Sequence, residues 1–212
     1  MFTGIITGLG HITEARALGA DASHGKRLAV ETPPGYLADV RLGDSIAING
    51  ACMTVTSLAP GANLFTLDIS AESLDKTAGL AEPGPVNLEK AMRANDRLGG
   101  HMVSGHVDGI GEVSHFAEVG ESWELRIRTP AELARFVAYK GSITVNGVSL
   151  TVNRVIDGTS EATAGCELSI NLIPHTLENT TLGTLAVGDR VNLEIDLIAR
   201  YVERMLTAPK AG

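Results

Sequence analysis

The chain of 212 residues contains an internal duplication, which restricts the folds open to it. Residues 33–55, PPGYLADVRLGDSIAINGACMTV, align without a gap with residues 130–152, PAELARFVAYKGSITVNGVSLTV. Slightly larger shifts superpose three further segments in the same order. These relate Thr3-Gly4 to Ser104-Gly105, ESLDKT (72–77) to HTLENT (175–180), and VNLE (86–89) to VNLE (191–194). Small changes of shift are typical of loop insertions. We therefore interpret the chain as two copies of one unit, 1–97 and 98–195, followed by a tail at 196–212.

The hydrophobic pattern within each unit indicates short β-strands. Alternation between turn signals predicts strands at 11–18, 27–33, 45–58, 64–70, 124–130, 142–155 and 166–174. Helical spacing is confined to two short pieces after prolines, at 33–40 and 130–137, and to the tail. About six strands per unit favour a small closed barrel, which leaves no open sheet edge. A sandwich made from both units is the alternative within the same all-β class.

The tail has the spacing of an amphipathic α-helix. Its apolar residues recur every four positions and form one stripe, Leu197, Ile198, Tyr201, Val202, Met205 and Leu206. Asp196 is placed to cap the N-terminus of this helix, and Pro209 to end it. The stripe could pack on its own barrel or form a contact between copies of the chain, and the spacing does not distinguish these.

Composition and charge exclude several classes of partner. The net charge of −8 argues against binding to a nucleic-acid backbone. No run of 18 apolar residues predicts a membrane span, and the first residues lack the pattern of a secretory signal. With two cysteines, Cys52 and Cys166, a disulfide framework is not expected. We therefore predict a cytoplasmic protein with no nucleic-acid or membrane partner.

The segment LGGHMVSGHVDG, residues 98–109, places two histidines in a glycine-rich run that we predict to open the second barrel as a strand. On a strand, His101 and His106 point to opposite faces, so a shared metal is not predicted. Ser104 and His106 share a face, and His106 is the candidate functional histidine. The alternative is that His106 is a hydrogen-bonded strand residue without a functional role. The glycines do not form a phosphate loop, because a strand and not a helix follows them.

The two copies differ at positions suited to chemistry. The aligned pairs are Cys52 and Ser149, Ile5 and His106, Ala91 and Asp196, and Glu72 and His175. Two sites that bind alike but act differently would need such differences, although loss of function in one copy explains them equally well. Cys52 shares a strand face with Thr54, so it either lines a polar pocket or is a buried structural cysteine. Cys166 has the pattern of a structural residue.

Six segments of the chain together resemble the riboflavin synthase family. They are MFTGII at the start, NGACMTVT (49–56), LGGHMVSGHVDG (98–109), KGSITVNGVSLTVN (140–153), LIPHTLENTTLG (172–183) and GDRVNLEIDLIARYVER (188–204). The resemblance implies a six-stranded Greek-key barrel in each half, each binding one 6,7-dimethyl-8-ribityllumazine, and a C-terminal helix that assembles a homotrimer. It implies an active site between the N-terminal barrel of one chain and the C-terminal barrel of a neighbour. There two lumazines exchange a four-carbon unit, giving riboflavin and 5-amino-6-ribitylaminouracil without metal or cofactor.

The resemblance also implies site residues at the matching positions. Catalytic residues would be Ser45, Cys52, His106 and Asp196. Residues that bind the substrate would be Gly4, Ile5, Ile6, Cys52, Met53, Thr54, Asp68, Ile69, Ser70, Gly105, His106, Val107, Lys140, Ser149, Leu150, Thr151, Asn171, Leu172, Ile173, Pro174, His175 and Thr176. Asn146 stands where some members carry aspartate, so the resemblance does not require a carboxylate there.

Two other functions are alternatives to the one that the resemblance implies. Non-catalytic lumazine proteins share the double barrel, but they tend to lose the chemical groups of the first barrel that this chain keeps. A flavin-binding barrel of the ferredoxin-reductase type would need an α/β nucleotide domain, for which the duplicated β-units leave no room. Association with lumazine synthase is a further partner that the family resemblance suggests.

Overall fold

The computed structural model describes residues 1–21, 23–158 and 164–208, and they form two closed antiparallel barrels. The strands of the first barrel are β1 (Gly8–Ala17), β2 (Lys26–Glu31), β3 (Ser45–Ile48), β4 (Ala51–Ala59), β5 (Leu64–Ile69) and β6 (Gly84–Lys90). Those of the second barrel are β7 (Gly109–Val119), β8 (Ser122–Thr129), β9 (Ser142–Val145), β10 (Val148–Asp157), β11 (Cys166–Leu172) and β12 (Arg190–Ile195). The helices are α1 (Ala71–Asp75), α2 (Ala131–Ala134), α3 (Pro174–Asn179) and α4 (Leu197–Thr207), with short 3₁₀ turns at Pro60–Ala62 and Thr181–Thr184.

The duplication in the sequence is repeated in the strand order. The first barrel runs β1-β2-β5-β4-β3-β6, and the second has the same order of neighbours, β7-β8-β11-β10-β9-β12. Each barrel encloses its own apolar core. On β5, for example, Phe65, Leu67 and Ile69 are buried while Asp68 between them is exposed, as the period of two requires. The prediction of tandem six-stranded barrels with a C-terminal helix is therefore confirmed, and the sandwich is excluded.

Equivalent hairpins from the two barrels meet back to back. Asn49-Gly50 and Asn146-Gly147 both have positive φ at each residue, which a two-residue hairpin turn of this hand requires. A Cβ atom added to Gly147 would lie 2.7 Å from the backbone nitrogen of Gly50, and one added to Gly50 would lie 2.8 Å from that of Gly147. Glycine is therefore needed at both positions for close approach as well as for φ.

A symmetric set of buried asparagines surrounds this contact. Asn87 on β6 donates from Nδ2 to the carbonyl of Asn146 (2.9 Å), and its twin Asn192 on β12 donates to the carbonyl of Asn49 (3.0 Å). Each also accepts a backbone N–H through Oδ1, from Thr181 and Ala78 respectively. Because these polar groups are buried, their mutual pairing joins the barrels without leaving unsatisfied donors.

The residues before each barrel cross to the other one. We call residues 2–7 the first lead segment and residues 103–108 the second lead segment. They pair with each other through a Phe2–Val103 bridge. Ile6 then packs against the core of the second barrel, whereas its twin Val107 packs against the core of the first. The sequence did not predict this exchange.

Several local predictions were wrong. Residues 98–108 are not a strand, apart from the bridge at Val103, and β7 begins at Gly109. The strand-parity argument about His101 and His106 therefore does not apply. The segment 33–40 forms successive turns instead of a helix, because Gly35 has a φ of +80° and interrupts any helical run. The predicted helix at 130–137 is limited to the four residues of α2. The strands predicted at 45–58 and 142–155 are each divided by an Asn-Gly turn, into β3 and β4 and into β9 and β10.

The C-terminal helix is anchored by polar contacts and leaves its apolar stripe exposed. Asp196 caps it by accepting from the N–H of Ile198 (2.9 Å), as predicted. Arg200 pairs with Asp108 (2.6 Å) and Glu203 with Arg135 (2.9 Å), which fixes the polar face to the second barrel. Five residues of the stripe are exposed: Ile198, Tyr201, Val202, Met205 and Leu206. Pro209 lies outside the described residues. Within those residues, no helix has the length and apolarity to cross a membrane.

Candidate functional site

One group of predicted site residues comes together where the second lead segment crosses the first barrel, and we call this place the first cleft. It contains Cys52–Thr54 on β4, Asp68–Ser70 at the end of β5, and Gly105–Val107. Pairing of Val55 with Leu67 brings the two strand ends side by side. The backbone N–H of Cys52 donates to the carbonyl of Gly105 (2.7 Å), which fixes the lead segment on β4. Gly105 has a φ of +80°, and a Cβ there would lie 2.7 Å from that of Cys52.

Side chains of the first cleft divide between its surface and the barrel core. Cys52 is partly exposed and Thr54 is exposed, so both lie on the outer face as predicted. Met53 and Ile69 are buried in the core and can offer a ligand backbone groups alone. Asp68 is exposed and engaged by Arg27 through two hydrogen bonds of 2.7 and 2.9 Å, and hydrogen bonding by this guanidinium lowers the pKa of the carboxyl. His106 is exposed on the lead segment, next to Gly105.

The equivalent residues form a second cleft, where the first lead segment crosses the second barrel. It contains Gly4–Ile6, Ser149–Thr151 on β10, and 171–176 from the end of β11 into α3. The N–H of Ser149 donates to the carbonyl of Gly4 (2.8 Å), which repeats the contact between Cys52 and Gly105. Leu172 is buried in the core, Leu150 packs partly against it, and the side chains of Thr151, Asn171, Ile173, Pro174 and His175 are exposed.

A buried carboxylate holds each lead segment in place. Glu89 on β6 accepts from the N–H (2.7 Å) and hydroxyl (2.7 Å) of Thr3 and from the N–H of Gly4 (3.0 Å). Glu194 on β12 accepts from the same three groups of Ser104 and Gly105, at 2.7, 2.6 and 3.0 Å. Burial raises the pKa of both carboxyls above the ordinary value, although these hydrogen bonds oppose the shift. The repeated VNLE segment is evident in the sequence, but the role of its glutamates is not.

Ser45 faces a different space from the other candidate residues of the first barrel. A cavity of about 590 Å³ lies between β3, the end of β6, the first lead segment and the linker before the second barrel. Ser45 and Ile5 are the predicted site residues that line it, together with Glu89 and Lys90. Lys90 is held by Asp39 (2.7 Å) and by the carbonyl of Tyr36 (3.0 Å). The cavity therefore has a fixed cation on one wall and a partly buried hydroxyl near it.

His101 makes a contact that the sequence did not predict. Its Nδ1 lies 2.7 Å from Oγ of Ser149, the residue that aligns with Cys52. Burial lowers the pKa of this imidazole, and the nearby carboxylate of Asp196 acts in the opposite direction. No local pattern in the sequence indicates this contact, because the two residues are 48 positions apart.

Lys140 differs from the other candidates in its backbone conformation. It has a φ of +61°, while its twin Gly43 has a φ of +87° at the same point of the first barrel. A side chain in the left-handed region is uncommon and costs about 1–2 kcal/mol relative to glycine. Its ammonium donates to Oδ1 of Asn153 (2.9 Å) and lies over the ring of Tyr139. These contacts fix the side chain of Lys140 between Asn153 and Tyr139, at the edge of the second barrel.

The two clefts are similar in frame and different in chemistry. Each brings together the start of one strand, the end of its neighbour and a lead segment, with a small side chain at the centre, the thiol of Cys52 in the first and the hydroxyl of Ser149 in the second. In the described parts of the chain, no group of three or more His, Cys, Asp or Glu side chains is arranged as a metal site. The arrangement suits a planar heterocycle held by backbone groups, with Cys52 and His106 at one cleft and Ser149, His101 and Asp196 near the other.

Comparison with known proteins identifies both halves. The model of the lumazine binding domain matches residues 3–91 and 104–196. The chain is 43% identical over 212 residues to riboflavin synthase of Photobacterium phosphoreum, covering 99% of this chain and 91% of that one. It is 47% identical over 213 residues to riboflavin synthase of Mycobacterium bovis, covering 97% and 98% respectively. Riboflavin synthase of Bacillus subtilis is 41% identical over 208 residues, with 97% and 90% covered.

Solved structures agree with this assignment. LumP complexed with 6,7-dimethyl-8-(1′-D-ribityl) lumazine superposes with a TM-score of 0.75 at 25% identity, covering 92% of this chain and 99% of that one. LumP complexed with riboflavin gives a TM-score of 0.76 at 27% identity, with the same coverage. The full-length matches to three synthases, each above 40% identity, extend further than this likeness to LumP. The chain therefore belongs to the riboflavin synthase family and carries one lumazine binding domain in each of its two barrels.

Proposed function

We propose that the chain is a riboflavin synthase that converts two molecules of 6,7-dimethyl-8-ribityllumazine into riboflavin and 5-amino-6-ribitylaminouracil. The main support for this activity is that a chain of this family has two similar clefts with different chemical groups. The donor and the acceptor of the four-carbon unit are the same compound. A duplicated barrel provides two frames of one shape, and differences such as Cys52 against Ser149 allow the two molecules to be treated differently.

The chemistry needs few strong catalysts. The C7 methyl group of a lumazine is acidic because its anion delocalises into the ring system, so a base of moderate strength can remove a proton. Holding two rings in register converts a bimolecular step into an effectively unimolecular one. An imidazole is suited to proton transfer near neutral pH, and His106, exposed beside the first cleft, is our choice for the base.

Roles for the remaining residues follow from their positions. Cys52 lies on the floor of the first cleft, where its thiol can contact a ring or add to C7 of it. Ser45 and Asp196 complete the proposed catalytic set, the first beside the cavity and the second beside His101. Gly4–Ile6 and Gly105–Val107 bind the rings through backbone groups. Lys140, on the rim of the second barrel, contacts the polar part of a ligand.

We further propose that three copies assemble through α4. The exposed stripe of α4 places five large apolar residues on one face, and Met205 and Leu206 are each 81% exposed. A contiguous apolar face of this kind is typical of an interface. The trimer brings the first barrel of one chain to the second barrel of its neighbour. The binding domains of this proposal are 1–97 and 98–195, and the assembly segment is 196–212, which contains α4 (Leu197–Thr207).

Two parts of the proposal concern the cellular setting. The two cysteines of the sequence are 114 positions apart, and both are free thiols in the structure. A protein that does not depend on disulfides is suited to the reducing cytoplasm, where we place it. A synthase that consumes lumazine gains from association with the enzyme that makes it, so lumazine synthase is the proposed partner.

The deciding experiment is to mix the purified chain with 6,7-dimethyl-8-ribityllumazine and to follow riboflavin by absorbance. Riboflavin and 5-amino-6-ribitylaminouracil should form in equal amounts. A stable lumazine spectrum with tight binding and no riboflavin would instead assign the chain to the optical lumazine-binding proteins. Counting ligands per chain in the same titration tests the two clefts, because a single ligand at saturation contradicts them.

Two substitutions test the chemical residues. Cys52→Ala and His106→Ala should lower kcat much more than they weaken lumazine binding. His11→Ala is the control for His106, because His11 is also an exposed histidine of the chain. Equal losses of kcat and binding in the cleft variants would assign them a binding or folding role.

Deletion of 197–212 tests the assembly helix. The shortened chain should be a monomer by sedimentation and should lose most of its activity. An active trimer without α4 would show that another surface assembles the chains.

A further inference from the structure

The contact between His101 and Ser149 lies at the centre of the second cleft. Ser149 is fixed from two sides, since its N–H donates to the carbonyl of Gly4 (2.8 Å) and its Oγ lies 2.7 Å from Nδ1 of His101. The backbone of His101 is held as well, because its N–H donates to the carbonyl of Thr3 (3.2 Å). Both partners are therefore placed by the same lead segment.

The other ring nitrogen of His101 shows which way the hydrogen bond runs. Nε2 is buried and has no hydrogen-bond partner. A buried N–H without a partner is rarer in proteins than an acceptor without one. This favours the neutral tautomer with its hydrogen on Nδ1, so that His101 donates to Oγ. Ser149 Oγ then acts as the acceptor for His101, and its own O–H is left to donate elsewhere.

We propose that His101 is a positioning residue that turns the hydroxyl of Ser149 towards the lumazine in the second cleft. The inference rests on the proposed function, which makes Ser149 a contact of the substrate. His101 thus gives the second cleft a directed hydrogen-bond donor where the first cleft has a thiol.

Two variants of His101 separate positioning from packing. In His101→Asn the side-chain amide can take the place of Nδ1 and donate to Ser149. In His101→Gln the amide lies one bond further out, near the place of Nε2, and cannot keep that geometry. We expect kcat of the Gln variant to fall about tenfold, the loss typical of one well-placed hydrogen bond. We expect the Asn variant to keep most of the wild-type kcat.

A double variant shows whether His101 acts through Ser149. Ser149→Ala should lower kcat about as much as His101→Gln does, and Ser149→Ala/His101→Gln should be no worse than Ser149→Ala alone. Additive losses, or equal kcat in the Asn and Gln variants, would overturn the positioning role. Unfolding in urea should show all four variants to be folded under the assay conditions.

The same set distinguishes the inference from the function on which it rests. If the wild-type chain forms no riboflavin, the proposed function fails. If it forms riboflavin but Ser149→Ala is as active as wild type, Ser149 is no substrate contact, and the role of His101 fails with it. If Ser149→Ala is impaired and His101→Gln is not, the function stands and the inference alone is refuted.

Discussion

The joint between the barrels predicts a large loss of stability when Asn192 is replaced. This side chain is 1% exposed and makes three hydrogen bonds to backbone groups. Its Oδ1 accepts from the N–H of Ala78 (2.7 Å), and its Nδ2 donates to the carbonyls of Asn49 (3.0 Å) and Ala78 (3.1 Å). In Asn192→Ala, the N–H and the carbonyl of Ala78 and the carbonyl of Asn49 all lose this partner. At about 1 kcal/mol or more for each of these three groups, the free energy of unfolding should fall by about 3 kcal/mol or more.

Urea unfolding followed by the fluorescence of Trp123, the single tryptophan of the chain, measures this loss. Asn171→Ala is the control, because Asn171 is also a strand asparagine but is exposed and accepts one hydrogen bond, from Ser122 (3.0 Å). The control should stay within about 0.5 kcal/mol of wild type. Asn87→Ala, the symmetric change in the first barrel, should resemble Asn192→Ala. If Asn192→Ala and the control lose equal stability at equal m-value, the asparagine joint does not hold the barrels together.

Three further predictions concern single positions. Gly147→Ala should destabilise the chain by about 2 kcal/mol or more in the same assay, because the added Cβ would meet the backbone of Gly50 and the φ of this residue is positive. An unchanged midpoint of urea unfolding would refute the close contact. Lys140→Gly should raise the free energy of unfolding by about 1 kcal/mol, because glycine adopts the left-handed backbone conformation without strain. KM for lumazine should rise, because the proposed contact of Lys140 with the ligand is lost. A lower free energy of unfolding would contradict the strain. The pKa of Glu89 is raised in the folded chain. Its contribution to the free energy of unfolding is therefore fully present below the ordinary pKa of the carboxyl, and it is lost as the pH rises through the raised pKa. The stability of wild type relative to Glu89→Gln should therefore fall with rising pH from about 4.5, measured by unfolding at a series of pH values; a difference that rises with pH would reverse the assignment.

The double barrel could be predicted from the sequence because each unit repeats the same alternation. On β5, the buried Phe65, Leu67 and Ile69 alternate with more exposed residues, which is the pattern that period two detects. The Asn-Gly turns were missed, because the strands predicted at 45–58 and 142–155 run through them, although positive φ restricts the residue types that fit such turns. The local alternation of buried and exposed residues is therefore enough to predict most of the fold.

What could not be predicted depends on contacts between the units. On β6, Val86 and Leu88 face the core, yet Asn87 and Glu89 on the opposite face are buried too. A polar residue in an alternating strand normally indicates solvent, and nothing local shows that another barrel and a lead segment cover it. The segment at 98–108 was predicted as a strand for the same reason. Its partners are Phe2, Cys52 and Glu194, which lie about 50 to 100 positions away in the sequence.

The exchange of lead segments explains why the duplication preserved some positions and changed others. Residues that hold the frame occur in matched pairs: Gly4 and Gly105, Asn87 and Asn192, Glu89 and Glu194, Gly50 and Gly147. Each pair makes the same contacts on both sides, so a change in one member would break a joint that both barrels share. Residues that face the clefts are under no such constraint, and there the copies differ, with Cys52 against Ser149 and Ile5 against His106. A reaction between two molecules of one compound requires this combination, since both sites must accept the same ring but must not treat it alike.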